Sequence, residues 1–477
     1  MTSQPNSRLH RYFPSGLFSR FADSVNHFEP YLTLLQKQLN ELDRWRQTYG
    51  KTDATGSSNA REEEIREVLR QLTDKLKGNY PFHHPRYAGQ MLKPPHPVAW
   101  LAYTLAMTVN PNNHALDGGP PTSALEKECI NKLAGMIGYD TPFLGHLTSG
   151  GTIANLEALF VARELHPGKA VAATANAHYT HQRMCKLLNI PFIRIPVNPE
   201  GVPDLAFIRN QSSRIGTLVV TLGTTGTGTV EPLAGLLPLC REAGIRIHAD
   251  AAYGGFFKLL EDELPSKPHW QLLNQCDSVV IDPHKHGLQP YGCGSVLYKD
   301  PAVGAFFKHD SPYTYFTSDE LHLGEISLEC SRAGASAAAL WATLELLPLT
   351  AEGLGSILHS ALTAARVFSK RIAEKPGFTL YMRPELDIVT WFRDPPDKSL
   401  SSLNTYNKEL FQKGMDLNKE GFFLSLFTVP AEQFTTLFPG YSADEEKAVL
   451  LRSVFMKQEH EEWADTLAEL IFSAAGL

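Results

Sequence analysis

The stretch SVVIDPHKHGLQPYGCGSVLY, residues 278–298, decides how the rest of the chain is read. Ser278 to Ile281 is a short apolar run of the kind that forms a buried strand, and Asp282-Pro283 ends it because proline cannot continue a sheet ladder. Lys285 is thereby delivered to the carboxyl edge of a sheet, where open α/β folds bind ligands. Flanked by His284 and His286 and followed by Gly287, Gly292 and Gly294, it keeps odd company for a solvated turn. Taken alone, Asp-Pro-His-Lys-His reads as a basic loop, so its meaning depends on what lies upstream.

Between residue 143 and about 300, short apolar runs alternate with helix-like segments, the signature of a parallel sheet with crossover helices. The runs are Ala170 to Thr174, Phe192 to Ile195, Leu218 to Leu222, Arg246 to His248 and Ser278 to Ile281. Before them, leucines 32, 35, 39 and 42, then Ile65, Leu69, Leu72 and Leu76, mark two amphipathic helices. These form an N-terminal arm, residues 1–80, with little of its own to bury its stripes against. It is therefore expected to pack on the main body or on a second protomer. Residues 79–122, rich in Pro, Asn and His, read as loop and as a possible pocket wall, and Ser123 to Ile137 reads as a helix. The large α/β domain is expected over 81–345. A smaller α+β domain follows over 346–477, with helices over Ala335 to Leu347 and Leu362 to Ile372 and strands over Ile388 to Phe392 and Phe422 to Leu426.

At 477 residues the chain exceeds the roughly 250–300 at which single cores stop growing, so division into domains is expected. Hydrophobic content of 43% and charged content of 20% fit a globular protein. A net charge of −7 gives no electrostatic footprint for nucleic acid or an anionic membrane. The six cysteines lack the spacing of a zinc site or a disulfide framework, which points to a reducing, cytoplasmic setting and no metal. Against that, Arg8, Arg11 and Arg20 precede the first acid, Asp23, as in an organelle transit peptide.

Four constellations could carry chemistry. Thr148-Ser149-Gly150-Gly151-Thr152 opens a helical pattern; paired glycines let backbone turn around an anion, and helix-start amides with Ser and Thr hydroxyls donate to it. The Gly-Lys-Ser/Thr ending of a nucleotide loop is missing, as are the spaced glycines of a dinucleotide fingerprint. His178, after the run ending at Thr174, offers a flat ring for stacking, although a lone histidine at a strand end is more often structural. The Gly/Thr alternation of 223–229 supplies hydroxyls and amides beside the sheet edge. Asp250, following a buried run and preceding Ala251 and Ala252, needs a compensating partner, which a cationic ligand atom or an ordinary salt bridge would provide. An anion cradle, a stacking ring, a buried carboxylate and a sheet-edge lysine in this order suit one cofactor, pyridoxal 5'-phosphate.

As written, HPRYAGQM, NPNNHALDGGPPTSALE, GHLTSGGTIANLEAL, AHYTHQRMCKLLNI, GTTGTGTVEPL, HADAAYGG, DPHKHG, SLECSRAGASAAALW and RPELDIVTWF resemble the pyridoxal-phosphate-dependent group II amino-acid decarboxylases, tyrosine- and glutamate- or aspartate-decarboxylase-like members in particular. The resemblance spans about residues 83–393 and implies the fold type I, aspartate aminotransferase-like architecture with a mostly parallel sheet. It implies a homodimer with the active site at the interface. It also implies that Lys285 binds the cofactor covalently, Asp250 pairs with its ring nitrogen, and His178 and Ala252 take its two faces. Ser149, Gly150, Gly151 and Thr152 would hold the phosphate with His284 near it, and Asn155 and Thr225 would touch the cofactor. Tyr313, or else Tyr315, would supply a proton to the substrate. The expected activity is loss of the α-carboxylate of an L-amino acid. A carbon–carbon lyase on phosphorylated amino alcohols and an aminotransferase using Arg393 or Arg452 share the fold, and a silent cofactor-binding member is a third alternative.

Overall fold

The computed structural model describes residues 28–50, 59–140, 142–308, 322–416 and 421–476. The chain separates into two compact units, Met1–Leu69 and Arg70–Leu477. In the first, the helix Glu29–Gln47 starts with a proline in its first turn and buries none of its residues. Its ends carry dipole-matching charges, Glu29 at the start and Arg44 and Arg46 at the end. A second helix, Asn59–Leu76, runs across the division between the units, and Ile65, Leu69, Leu72 and Leu76 along it are all exposed.

The second unit is built on a seven-stranded sheet. In chain order its strands are β1 (Leu144–Thr148), β2 (Ala170–Thr174), β3 (Phe192–Ile195), β4 (Ile215–Thr221), β5 (Arg246–Asp250), β6 (Ser278–Ile281) and β7 (Gly294–Tyr298). Their order across the sheet is β1-β7-β6-β5-β4-β2-β3. All run parallel except β7, which pairs antiparallel with both β1 and β6. That exception has a simple cause: the connection from β6 to β7, residues 282–293, is a turn with no crossover helix, so the chain returns antiparallel. The turn is tight, since a Cβ on Gly287 would lie 2.6 Å from Cα of Pro283. Strands β2, β4, β5, β6 and β7 are buried at every residue, as expected of a sheet covered on both faces. On one face Ala154, Ala158 and Val161 of the helix Gly151–Leu165 pack on Ala252, Val280, Val296 and Tyr298. The carboxyl ends of β1, β2, β4, β5 and β6 therefore share one edge.

A four-stranded antiparallel sheet follows, of β8 (Phe378–Leu380), β9 (Ile388–Arg393), β10 (Ser425–Pro430) and β11 (Lys447–Val454), in the order β10-β11-β9-β8. Phe368 and Ile372 of the helix Leu354–Glu374 and Leu467, Ile471 and Phe472 of the helix His460–Ala475 close over Trp391 and Leu451 to make its core. No helix among the described residues is long and apolar enough to cross a membrane.

Several sequence expectations shift. The stretch read as loop over 79–122 contains a helix, Pro97–Met107, whose residues are apolar on nearly every side and so lack a helical period. The helix expected over Leu362 to Ile372 runs over Leu354–Glu374, with Gly355 inside its first turn. The strand expected over Phe422 to Leu426 lies at Ser425–Pro430, since Phe423 is used to pair with residues 86 and 88 through Phe423 N–H to Arg86 O and Ala88 N–H to Phe423 O. Strands β1, β7 and β11 and the helices Leu400–Asp416 and His460–Ala475 were not among the expected elements.

Candidate active site

The shared strand edge opens on a cavity of about 310 Å³. Ser149, Gly150, Gly151 and Thr152 after β1, His178 after β2, Thr225 after β4, Asp250 and Ala252 at the end of β5, and His284 and Lys285 after β6 all line it, with Asn155 one helical turn in. Tyr313 and Tyr315 lie outside the described residues.

Gly150, with φ of +148°, swings the chain from β1 into the helix Gly151–Leu165. Among the described residues, no acceptor is recorded for the amides of Gly151 and Thr152, which leaves them as donors at a helix start. The Ser149 amide is already spent on the Glu329 carboxylate, at 2.8 Å. His284 sits over the glycines: a Cβ on Gly150 would be 3.1 Å from its Cε1. Its Nδ1 is buried without a partner, and burial pushes its pKa down. Free helix-start amides and an orphaned imidazole nitrogen fit a phosphate. One carboxylate stands against it, since Oδ2 of Asp282 would be 2.6 Å from a Cβ on Gly151. That charge is met by Lys285 Nζ at 3.1 Å and His284 Nε2 at 3.5 Å.

At the opposite end, Asp250 is 5% exposed. Burial alone would raise its pKa, but the hydrogen bond and charge of His181, with Lys285 and His248 adding to them, hold it well below the usual carboxylate range. It is thus kept as an anion, suited to a protonated ring nitrogen. His178 is half-buried, its Nδ1 2.6 Å from Thr180 Oγ1, which fixes the ring. Burial lowers its pKa and favours the uncharged ring that stacking calls for. Ala252 lies beside Asp250 and presents only a methyl group to the cavity.

Asn155 is a buttress: its Nδ2 donates to Gly151 O and its Oδ1 meets His248 Nε2, both at 2.8 Å. His248, pushed by burial to about 3, also meets Ser278 Oγ at 2.9 Å and so ties β5 to β6 and to the anion cradle. In the Gly/Thr loop, Thr224, Thr227 and Thr229 share hydroxyl contacts of 2.7–3.0 Å among themselves, so most of its hydroxyls hold the loop while Thr225 faces the cavity. Of the two arginines weighed for a substrate carboxylate, Arg452 donates to Gly226 O, Gly89 O and Ser425 Oγ, and Arg393 lies over the ring of Tyr406. Neither lines the cavity.

Two residues escaped the sequence reading. In the sequence Asp282 reads only as the end of a strand, although its spacing of three from Lys285 in a turn is one that lets an acid meet an amine. His181 sits three residues after His178, the same helical spacing, and nothing in the sequence told that its partner would be Asp250.

A family model described as the pyridoxal-dependent decarboxylase conserved domain matches residues 51–393. The L-tyrosine decarboxylase of Enterococcus faecium is 25% identical over 86% of this chain and 88% of its own length. The L-aspartate decarboxylase of Thermococcus kodakarensis is 26% identical over 76% of this chain and 92% of its own. Among solved structures, Oryza sativa TDC with PLP and tryptamine superposes with a TM-score of 0.75 at 16% identity, covering 95% of this chain and 98% of that one. Mouse CSAD gives 0.73 at 20% identity, covering 91% of each chain.

Proposed function

The chain belongs to the pyridoxal-dependent decarboxylase family, and from that premise we propose how its own residues divide the work. The reaction is removal of the α-carboxylate of an amino acid as carbon dioxide, with pyridoxal 5'-phosphate as cofactor. When bound, the cofactor supplies an electron sink for the pair left behind by the departing carboxylate. Lys285 would hold it covalently through its amine, the one nucleophilic amine that borders the cavity among the described residues. Asp250 accepts from the ring nitrogen and keeps it cationic. His178 and Ala252 would take the two faces of the ring, both bordering the cavity. The amides of Gly151 and Thr152, the hydroxyls of Ser149 and Thr152, and His284 hold the phosphate; Gly150, whose amide donates to Thr148 Oγ1, turns the chain around it, and Asn155 and Thr225 steady that end. Tyr313 is the proton donor to the substrate carbon. The observation that supports this division is that every described member of the set borders one cavity, with amine, acid and anion cradle on separate strands of one sheet edge.

The substrate is drawn from the aromatic or acidic L-amino acids, the classes that the named relatives act on. The enzyme is read as a homodimer, and what supports this is the exposure of Ile65, Leu69, Leu72 and Leu76 along the helix Asn59–Leu76. A cytoplasmic location fits six free cysteines, five of them buried. The division into arm (1–80), cofactor domain (81–345) and small domain (346–477) is supported by the seven-stranded sheet falling within the second and the four-stranded sheet within the third. A screen of the twenty amino acids for carbon dioxide release tests the whole: turnover is expected with an aromatic or acidic member and lost in Lys285→Ala. A protein that binds the cofactor yet releases none from any amino acid contradicts it.

A further inference from the structure

Behind Asp250, on the side away from the cavity, stands a residue to which the division of work above gives no task. His181 is the second residue of the helix Thr180–Leu187, and its ring is fully buried. Its Nε2 lies 2.7 Å from Asp250 Oδ2, while the Ala252 amide donates to Oδ1 at 3.2 Å. Two donors, one on each oxygen, fix the plane of the carboxylate and leave its remaining lone pairs to the cavity. Nδ1 of His181 is buried with no partner, so Asp250 is the ring's one polar attachment among the described residues.

The surroundings explain why such a donor is needed. Glu231 is buried close by; its oxygens accept from the Thr174 hydroxyl and the Thr221 amide, and it repels Asp250. His248 faces His181 at 6.3 Å between rings, His178 lies on the cavity side, and the charge of Lys285 also acts on Asp250. Without His181, Asp250 would keep only one weak amide donor in a dry site next to a second acid. A carboxylate so placed rotates more freely and is driven toward its neutral form.

We propose that His181 is a positioning residue that holds the Asp250 carboxylate ionised and correctly turned for the ring nitrogen of pyridoxal phosphate. It acts through Asp250 and touches neither cofactor nor substrate. This rests on the reading of Asp250 as the partner of that nitrogen, and the test separates the two.

Affinity of the apo protein is measured by equilibrium dialysis for pyridoxal phosphate and for its 1-deaza analogue, which has carbon in place of the ring nitrogen. Three proteins are compared: wild type, His181→Phe, which keeps a ring and loses the donor, and His181→Gln, whose amide reaches the same place. Losing a hydrogen bond to a charged group predicts about tenfold weaker binding of pyridoxal phosphate in His181→Phe, and affinity within about threefold of wild type in His181→Gln. Affinity for the deaza analogue should be the same in all three, which also shows that the variants are folded. Equal weakening toward both cofactors in His181→Phe would reduce His181 to packing and overturn the proposal, as would unchanged binding of pyridoxal phosphate. A wild type that binds both cofactors equally well would instead remove the premise about Asp250, and the proposal with it.

Discussion

The Nζ of Lys285 lies 3.1 Å from Oδ2 of Asp282, the residue that follows strand β6. The acid is 3% exposed and the lysine side chain 22%, so the pair is more than a surface contact. It anchors the amine at the mouth of the anion cradle. Asp282→Ala leaves the cation without its counter-charge and is expected to cost about 1–3 kcal/mol of stability by urea denaturation. Asp282→Asn, which keeps an acceptor, should recover part of that loss. Equal stability of wild type and Asp282→Ala would show that the pair does no such anchoring.

Gly150 offers a test of the cradle. At φ of +148° an L side chain is strained, and a Cβ would press within 3.1 Å of His284. Gly150→Ala should therefore lose about 1–3 kcal/mol and bind pyridoxal phosphate at least about tenfold more weakly. Fluorescence titration of the apo protein measures the second effect.

Glu231 ties stability to pH. Burial raises it from an ordinary 4.5 to about 7, in spite of donors from Thr174 and Thr221. Below 4.5 both folded and unfolded chains hold its proton; between 4.5 and about 7 only the folded chain does, so stability falls as pH rises through that window. Glu231→Gln removes this fall, and its melting temperature relative to wild type should improve between about pH 5 and about pH 8. A constant difference across that range would contradict the assignment.

Lys457 works in the opposite sense. It is 4% exposed, donates to Tyr87 O, and burial lowers it from 10.5 to about 7. Between those values the unfolded chain holds a proton that the folded chain lacks, so stability rises with pH from about 7 toward 10.5 and is lost as pH falls through 7. Lys457→Met should make the melting temperature less dependent on pH between about 7 and about 9.

The exposed stripe of the arm predicts the assembly. Wild type should sediment at twice the 52.9 kDa chain mass, and Leu69→Asp with Leu72→Asp should shift it toward the monomer. A wild type that sediments as a monomer at micromolar concentration would exclude the homodimer.

Much of the site could be read in the sequence because each of its parts sits next to a strand end with a local signature: Gly150-Gly151 before a helical period, Asp250 after an apolar run, Lys285 behind Asp282-Pro283. Such signals are short-range and survive without knowledge of the fold. The pairing of Asp250 with His181, 69 positions apart, is a product of β2 and β5 lying two strands apart in one sheet, and no spacing rule carries it. The antiparallel course of β7 could have been inferred from the lack of a helix over 282–293, whereas the helix Pro97–Met107 could not, since apolar residues on nearly every side erase its period. In the small domain, β11 lies between two partners and is apolar throughout Ala448–Leu451, which a strand and a buried helix share equally.

The central claim is that the amine of Lys285, the acid of Asp250 and the cradle of 149–152 meet on one molecule of pyridoxal phosphate. Reduction of the cofactor-loaded protein with borohydride, followed by peptide mass mapping, tests it most directly. A single phosphopyridoxyl group is expected, on the peptide carrying Lys285. A label on any other lysine, or a loaded protein that retains none, would contradict it.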